Sequence, residues 1–354
     1  MQPPVEQYAS IIRAAARDGT PLRIRGGGSK DFFGGPLAGT PLDVSGYCGI
    51  IDYDPSELVL TARAGTPLAD IEATLQAQGQ MLAFEPPHFG APATFGGCIA
   101  AGLSGPRRAC AGAVRDFVLG VRLLDGRGDD LHFGGRVMKN VAGFDVSRLL
   151  AGSLGTLGVL LEVSVKVLPL PVAEATLHFE HTAADALALL NTWGGQPLPL
   201  SASTWQDGML TVRLSGARAA VNAAVAQLGG ARVEDAAAAT YWQDIREQRT
   251  AFFATALPLW RLSVKSTTPP LNLPGRQLIE WGGSLRWLAS DADAQTVRAA
   301  ARYGGGHATL FRGGEKNAGA FHPLPAALMA LHRNLKRSFD PAGIFNRGRL
   351  YPDL

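Results

Sequence analysis

Glycine is spread unevenly along this chain, and that unevenness limits the architecture more than any other feature. It clusters near 26–35, 90–112, 126–135, 152–158 and 304–314, whereas 178–260 has far fewer. Backbone without side chains bends sharply and lets a ligand approach closely. The contrast predicts a loop-rich, ligand-holding domain first and a more regular domain after it. At 354 residues the chain has room for both.

Residues 5–18 read as a helix ending at Gly19, followed by strands at 21–25 and 41–44. GIIDYDPSELVLTARAG reads as two extended runs joined at Asp54-Pro55, a turn pair. The next helix has Thr66 as N-cap, Pro67 at its first position, Leu68, Ile71 and Leu75 on one face, and Gly79 past its end. VLGVRLLDGRGDDLHFGG predicts a hairpin around Asp125-Gly126, and GVLLEVSVKVLPLP a strand closed by prolines. The fold class is α+β with short strands, not the regular alternation of a Rossmann domain.

From about 175, strand-like ATLHFEH, helical AADALALLNTW, strand-like MLTVRLSG and helical ARAAVNAAVAQLGG precede a similar set. That set is LPLWRLSVKS, LIEWGGSLRWL, a helix over 291–303, and HATLFRGG. The pattern predicts two β-α-β-β-like units packed as one sheet with helices on a face. Residues 325–354 read as a helix and a turn-rich tail, FDPAGIFNRGRLYPDL. The expected domains are therefore 1–174, 175–324, and a closing segment 325–354.

The charge balance, 33 basic against 30 acidic residues, has no basic block and argues against nucleic-acid binding. Cys48, Cys98 and Cys110 form no CxxC pair, so no iron–sulfur cluster, zinc knuckle or other metal site is expected in this chain. The N-terminal MQPPVEQYAS has no secretory pattern, and no run approaches about 18 apolar residues. A cytoplasmic protein is expected, reaching the inner face of a membrane only through partner subunits.

Three loops carry the chemistry. Arg25-Gly26-Gly27-Gly28-Ser29-Lys30 follows a strand, and consecutive glycine N–H groups make a concave nest for a phosphate oxygen, with Lys30 adding charge. A plain turn between strands is the alternative. Pro92-Ala93-Thr94-Phe95-Gly96-Gly97 opens a second loop of small residues; a short helix starting near Gly97 would face the same anion. Gly152-Ser153-Leu154-Gly155-Thr156-Leu157-Gly158-Val159 is the third, a side-chain-free edge suited to a flat ring. Arg115-Asp116 reads as a salt bridge bracing a loop rather than a ligand contact.

With these loops in place, RGGGSK, PATFGG…SGPRRACAGAVRDFVLGVRLLDGRG and GSLGTLGVLLEVSVKV resemble, in order and spacing, the PCMH-type FAD-binding domain of the vanillyl-alcohol oxidase family. The tail FDPAGIFNRGRL is similar to that family's closing segment. Within the family, the length and the SK and PRRACAGAVRDFVLG variants look most like the FAD-binding E-type subunits of bacterial glycolate oxidase. The resemblance implies a two-subdomain FAD domain over 1–174 and a smaller ferredoxin-like-repeat cap over 175–324. It also implies that Gly26, Gly27, Gly28 and Ser29 cradle the pyrophosphate, flanked by Arg25 and Lys30. Pro92, Thr94, Gly96 and Gly97 would line the flavin and diphosphate. Arg115 and Asp116 would sit at a helix-to-strand junction, and Gly155, Thr156, Gly158 and Val159 at the adenine end.

Ser29 stands where relatives with covalent flavin carry a His, so non-covalent FAD is expected. Members that oxidise 2-hydroxy acids in their own pocket carry a histidine and acid cluster in the cap. Here that region offers only His307, as a base or a structural His, and Arg312, as a carboxylate anchor or a surface ion pair. Trp281 and Trp287 read as core. The resemblance thus implies an FAD subunit working with a catalytic flavoprotein subunit and an iron–sulfur subunit towards quinone, on a small 2-hydroxy acid. The alternatives are a self-sufficient FAD-dependent 2-hydroxy acid dehydrogenase and a flavin-free scaffold.

Overall fold

The computed structural model describes residues 3–135, 145–316 and 319–354. Helix α1 (Pro3–Asp18) stops at Gly19, whose φ of +66° ends a helix at little cost. β1 (Leu22–Arg25) and β2 (Thr40–Asp43) pair in parallel on either side of the first glycine loop. β3 (Ile50–Asp54) and β4 (Val59–Arg63) form an antiparallel hairpin across Asp54-Pro55. α2 (Leu68–Gln76) buries Leu68, Ile71 and Leu75, the face read from the sequence. Its start is different. Pro67 takes the cap position without a side-chain bond, because Thr66 Oγ1 already donates to Arg63 O and accepts from Gly49 N.

Next come β5 (Gln80–Met81), α3 (Phe95–Ala101), α4 (Arg108–Ala111) and α5 (Val114–Phe117). β6 (Val118–Leu124) and β7 (Asp130–Gly134) form the hairpin over Asp125-Gly126, and β8 (Val159–Lys166) and β9 (Leu168–Pro169) follow. Five strands make one antiparallel sheet in the order β3-β4-β8-β6-β7. Its middle strand is apolar on both faces for a reason. Val163 and Val165 pack in the core with α2 and α3, while Val159 and Leu161 pack with α1.

The second half begins with β10 (Ala173–Glu180), α6 (Ala183–Gly194), β11 (Leu200–Gln206), β12 (Met209–Gly216), α7 (Arg218–Leu228) and β13 (Ala231–Arg232). α8 (Asp235–Glu247) leads to β14 (Leu259–Ser263), β15 (Arg276–Glu280), β16 (Leu285–Ala289), α9 (Ala294–Tyr303) and β17 (His307–Arg312). The strand orders, β13-β10-β12-β11 and β15-β16-β14-β17, are those of two ferredoxin-like units. β11 pairs with β15, so the units join edge to edge into one eight-stranded sheet among the described residues.

Sequence reading missed β11 because LSASTWQ is rich in Ser and Thr, yet Ser201 to Thr204 are all buried. It also missed α8. The second unit lacks the helix that α6 provides in the first: 264–275, with TTPPLNLP, has no helix, as prolines without N–H groups dictate. α9 begins at Ala294, later than expected, because the Asp293 side chain caps it by accepting from Thr296 N.

α10 (Ala326–Phe339) returns the chain to the first half. Leu22 N donates to Ile344 O, Asn346 N donates to Leu22 O, and Phe345 bridges in parallel to Leu22. Between the halves, the Glu85 carboxylate meets Arg107 Nε at 3.3 Å and Arg213 Nη2 at 2.8 Å. Burial alone would raise its pKa; Arg213 and Arg107 instead hold it below the usual range.

Candidate cofactor cleft

The glycine loops converge on one cleft enclosing about 820 Å³, part of it open to solvent. Arg25, Gly26, Gly27, Gly28, Ser29 and Lys30 line it, facing Thr94, Gly96 and Gly97 and then Gly155 and Gly158. Three loops read separately from the sequence thus meet around one space.

The first loop supplies donors. Asp31 N donates to Gly28 O and Phe33 N to Lys30 O, and Gly28 takes a left-handed φ of +74°. Among the described residues, the backbone N–H groups of 26–30 have no protein acceptor. Successive unpaired donors beside a cleft are what an anion-binding nest requires. Arg25 Nε lies 3.7 Å from Asp31 Oδ2. Lys30 Nζ donates to His88 O at 3.1 Å and Ser29 Oγ at 3.3 Å, and burial lowers its pKa.

The second loop supplies close packing against the first, not donors. The helix expected near Gly97 starts at Phe95, with Thr94 as its cap. Its first N–H groups are all engaged within the protein: Phe95 with Thr66 O, Gly96 with Ala64 O, Gly97 with Thr94 Oγ1 and Cys98 with Thr94 O. Side-chain absence matters instead. A Cβ on Gly26 would lie 2.4 Å from Thr94 Oγ1, and one on Gly96 2.6 Å from Ala64 Cβ. Pro92 does not line the cleft; its carbonyl oxygen backs onto Gly27. Cys98 is a buried thiol with its pKa pushed up to about 12.

The third loop is held from outside. Asn346 Oδ1 accepts from Ile24 N, and Asn346 Nδ2 donates to Leu154 O, so the tail ties β1 to this loop. Asn346 and Arg349 line the cleft, and sequence reading gave neither a role. Arg349 donates to Asp31 O, Gly35 O and Phe33 O, fixing the end of the first loop. Thr156 is buried with Oγ1 bonded to Ser153 O, and Val159 lies in the α1 core, so neither faces the cleft. Arg115 and Asp116 are also elsewhere. They pair at 3.8 Å on an exposed surface, and Asp116 accepts from Ala113 N.

His307 and Arg312 occupy opposite ends of β17, about 17 Å apart at strand spacing, and neither lines the cleft. Arg312 Nη2 donates to Gln248 Oε1 at 2.6 Å, with its guanidinium 4.9 Å from the Phe32 ring centroid. His307 has its pKa lowered by desolvation and by Arg261. The two do not converge on one substrate-sized space. Trp281 and Trp287 are buried as expected, but both indoles also bond: Trp281 Nε1 to Gly105 O and Trp287 Nε1 to Glu280 Oε1.

Unpaired backbone donors, glycine loops packed too closely for a Cβ at Gly26, Gly27 or Gly96, and an apolar wall of Leu37, Val44 and Leu160 fit a dinucleotide with a diphosphate and a flat ring. The comparisons agree. The FAD binding domain family matches residues 4–134. Glycolate oxidase subunit GlcE of Escherichia coli (strain K12) is 50% identical over 343 residues, covering 97% of this chain and 96% of that protein. Glycolate oxidase subunit GlcD of Bacillus subtilis (strain 168) is 30% identical over 186 residues, 52% of this chain and 39% of its own length. In structure, an alkyldihydroxyacetonephosphate synthase superposes with a TM-score of 0.64 over 96% of this chain and 75% of the other, at 15% identity, a likeness of fold. This chain belongs to the PCMH-type FAD-binding flavoproteins, in the branch of the glycolate oxidase E-type FAD-binding subunits.

Proposed function

We propose that this chain is the FAD-holding subunit of a multi-subunit complex that oxidises glycolate, a small 2-hydroxy acid. The observation that carries this reading is the row of unpaired N–H groups at 26–30 along a cleft in a chain half identical to GlcE over almost its whole length. Bound FAD supplies hydride acceptance from a carbinol carbon and release of electrons one at a time. In this chain, Gly26, Gly27, Gly28 and Ser29 bind the diphosphate, and Arg25 and Lys30 balance its charge. Thr94, Gly96 and Gly97 leave the ring space, and Gly155 and Gly158 flank the adenine end. FAD is held without a covalent bond, as Ser29 offers no imidazole for attachment.

The substrate is oxidised in concert with a catalytic flavoprotein subunit, and electrons leave through an iron–sulfur subunit towards membrane quinone. The lack of any CxxC pair in this sequence supports placing that carrier in another chain. Among the described residues, no helix is long and apolar enough to cross a membrane. This supports cytoplasmic residence, with the inner membrane face reached through partners.

The test is purification of the chain alone and with its partners, followed by acid release of flavin and dye reduction by glycolate. Expected are a yellow protein that gives up all its flavin to acid and turnover only on assembly. A colourless chain after mild purification overturns the FAD role. Full turnover by the chain alone replaces this reading with that of a self-sufficient dehydrogenase.

A further inference from the structure

The segment Glu85-Pro86-Pro87-His88-Phe89-Gly90 leads into the second glycine loop and is held in a conformation its residues resist. Glu85 and Phe89, neither a glycine, take left-handed φ values of +45° and +53°. Such backbone persists only where its surroundings over-determine it. Both positions are fixed from the second half of the chain. The Glu85 carboxylate meets Arg213 of β12, and Glu247 Oε2, at the end of α8, accepts from Phe89 N at 2.9 Å and His88 N at 3.1 Å. The Glu247 side chain is only 9% exposed, so water competes little for these charge-assisted bonds.

The other side of the segment faces the cofactor nest. His88 O accepts from Lys30 Nζ at 3.1 Å, and that ammonium lies 5.8 Å from the Phe89 ring centroid. Lys30 lines the cleft, whereas Glu247 does not. A continuous line of bonds thus runs from α8 through His88 and Phe89 to the ammonium beside the nest.

We infer that Glu247 is a positioning residue for the flavin diphosphate, acting from the second half through the segment 85–90 and Lys30. This role rests on the proposed function and extends it to a residue outside the cleft. A lysine carries its charge on a flexible stem, so the place of its ammonium is set by the acceptor offered to it. His88 O is that acceptor, and it stays in place while Glu247 holds the two amides. Without Glu247 the left-handed turn at Phe89 loses its restraint and relaxes, taking the carbonyl with it. The coupling is reciprocal: a diphosphate that fixes Lys30 also steadies the segment.

FAD is titrated into the full-length chain after its flavin is removed, for wild type, Glu247→Ala, Glu247→Gln, Lys30→Met and the Lys30→Met/Glu247→Ala double variant. Amide exchange at His88 and Phe89 is followed with and without FAD. Expected are affinity losses of about fivefold or more in Lys30→Met and in Glu247→Ala. Glu247→Gln, which keeps a carbonyl acceptor, should lose less, and the double variant should lose less than the product of the two single losses. FAD should slow exchange at His88 and Phe89 in wild type and not in Lys30→Met. A residue that only stabilised the fold would lower the melting temperature and leave the two losses independent. Wild-type affinity in Glu247→Ala, losses that multiply in the double variant, or exchange indifferent to FAD in wild type overturns the role. The last of these requires no variant to fold. A wild-type chain that takes up no FAD overturns the proposed function and this role together, whereas normal uptake with any of those three results overturns this role alone.

Discussion

A Cβ placed on Gly27 would lie 1.4 Å from the carbonyl oxygen of Pro92. The first and second loops are therefore fitted to each other with no room for a methyl group. Gly27→Ala is expected to cost about 1–3 kcal/mol through forced separation of the loops and to empty the cleft of flavin. Gly46→Ala, where a Cβ meets nothing within 4 Å, is the matched control and should keep both. Denaturant unfolding and the flavin-to-protein absorbance ratio check this; equal flavin content in the two variants would remove the first loop from the cofactor site.

Asn346 bonds two segments, each far from it in sequence: its Oδ1 accepts from Ile24 N at 2.8 Å and its Nδ2 donates to Leu154 O at 2.6 Å. Asn346→Leu leaves both backbone groups without that partner, at a cost of about 2–4 kcal/mol. Flavin affinity should fall with stability, because Ile24 and Leu154 both line the cleft. A flavin titration in which affinity holds while stability drops would show that the tail shapes the fold but not the site.

Glu280 makes stability depend on pH with a definite sign. Its pKa rises from 4.5 to about 7 on folding, so the folded chain binds more protons than the unfolded one between those values. The stabilisation is complete below about pH 4.5 and is lost as pH rises through about 7. Glu280→Gln stays neutral, so its stability relative to wild type should grow across that window by at most about 3 kcal/mol. Melting curves at pH 5 and pH 8 provide the comparison, and a pH-independent difference would place the Glu280 carboxylate in water.

A general base contributes about 10²- to 10⁴-fold to rate. His307 stands at the open end of β17, apart from the cleft, so His307→Ala in the assembled complex should show no loss on that scale. Glycolate-dependent dye reduction measures it. A hundredfold drop would bring His307 back as a catalytic group.

The sequence made the glycine loops legible because their chemistry is local: a strand, then residues without side chains, then a turn. The doubled strand pattern after 175 was legible for the same reason. What stayed hidden is made by long-range contact. Arg261 looked like any residue of an amphipathic strand, and only the approach of Trp281 and Arg108 from other segments gives it a setting. Val159 and Thr156 belong to the right loop, yet pleating turns one into the α1 core and a backbone carbonyl takes up the other. Arg115 and Asp116 pair at 3.8 Å where α5 runs into β6, the helix-to-strand junction that the resemblance implied, and they do not line the cleft.

The tail has a consequence for how the protein is made. Ile344 and Asn346 bond to Leu22, while Asn346 and Arg349 form part of the cleft wall. A nascent chain whose first half has left the ribosome therefore still lacks one side of the flavin's berth. A polypeptide cut back before Asn346 is therefore expected to build the glycine loops yet retain its pigment poorly.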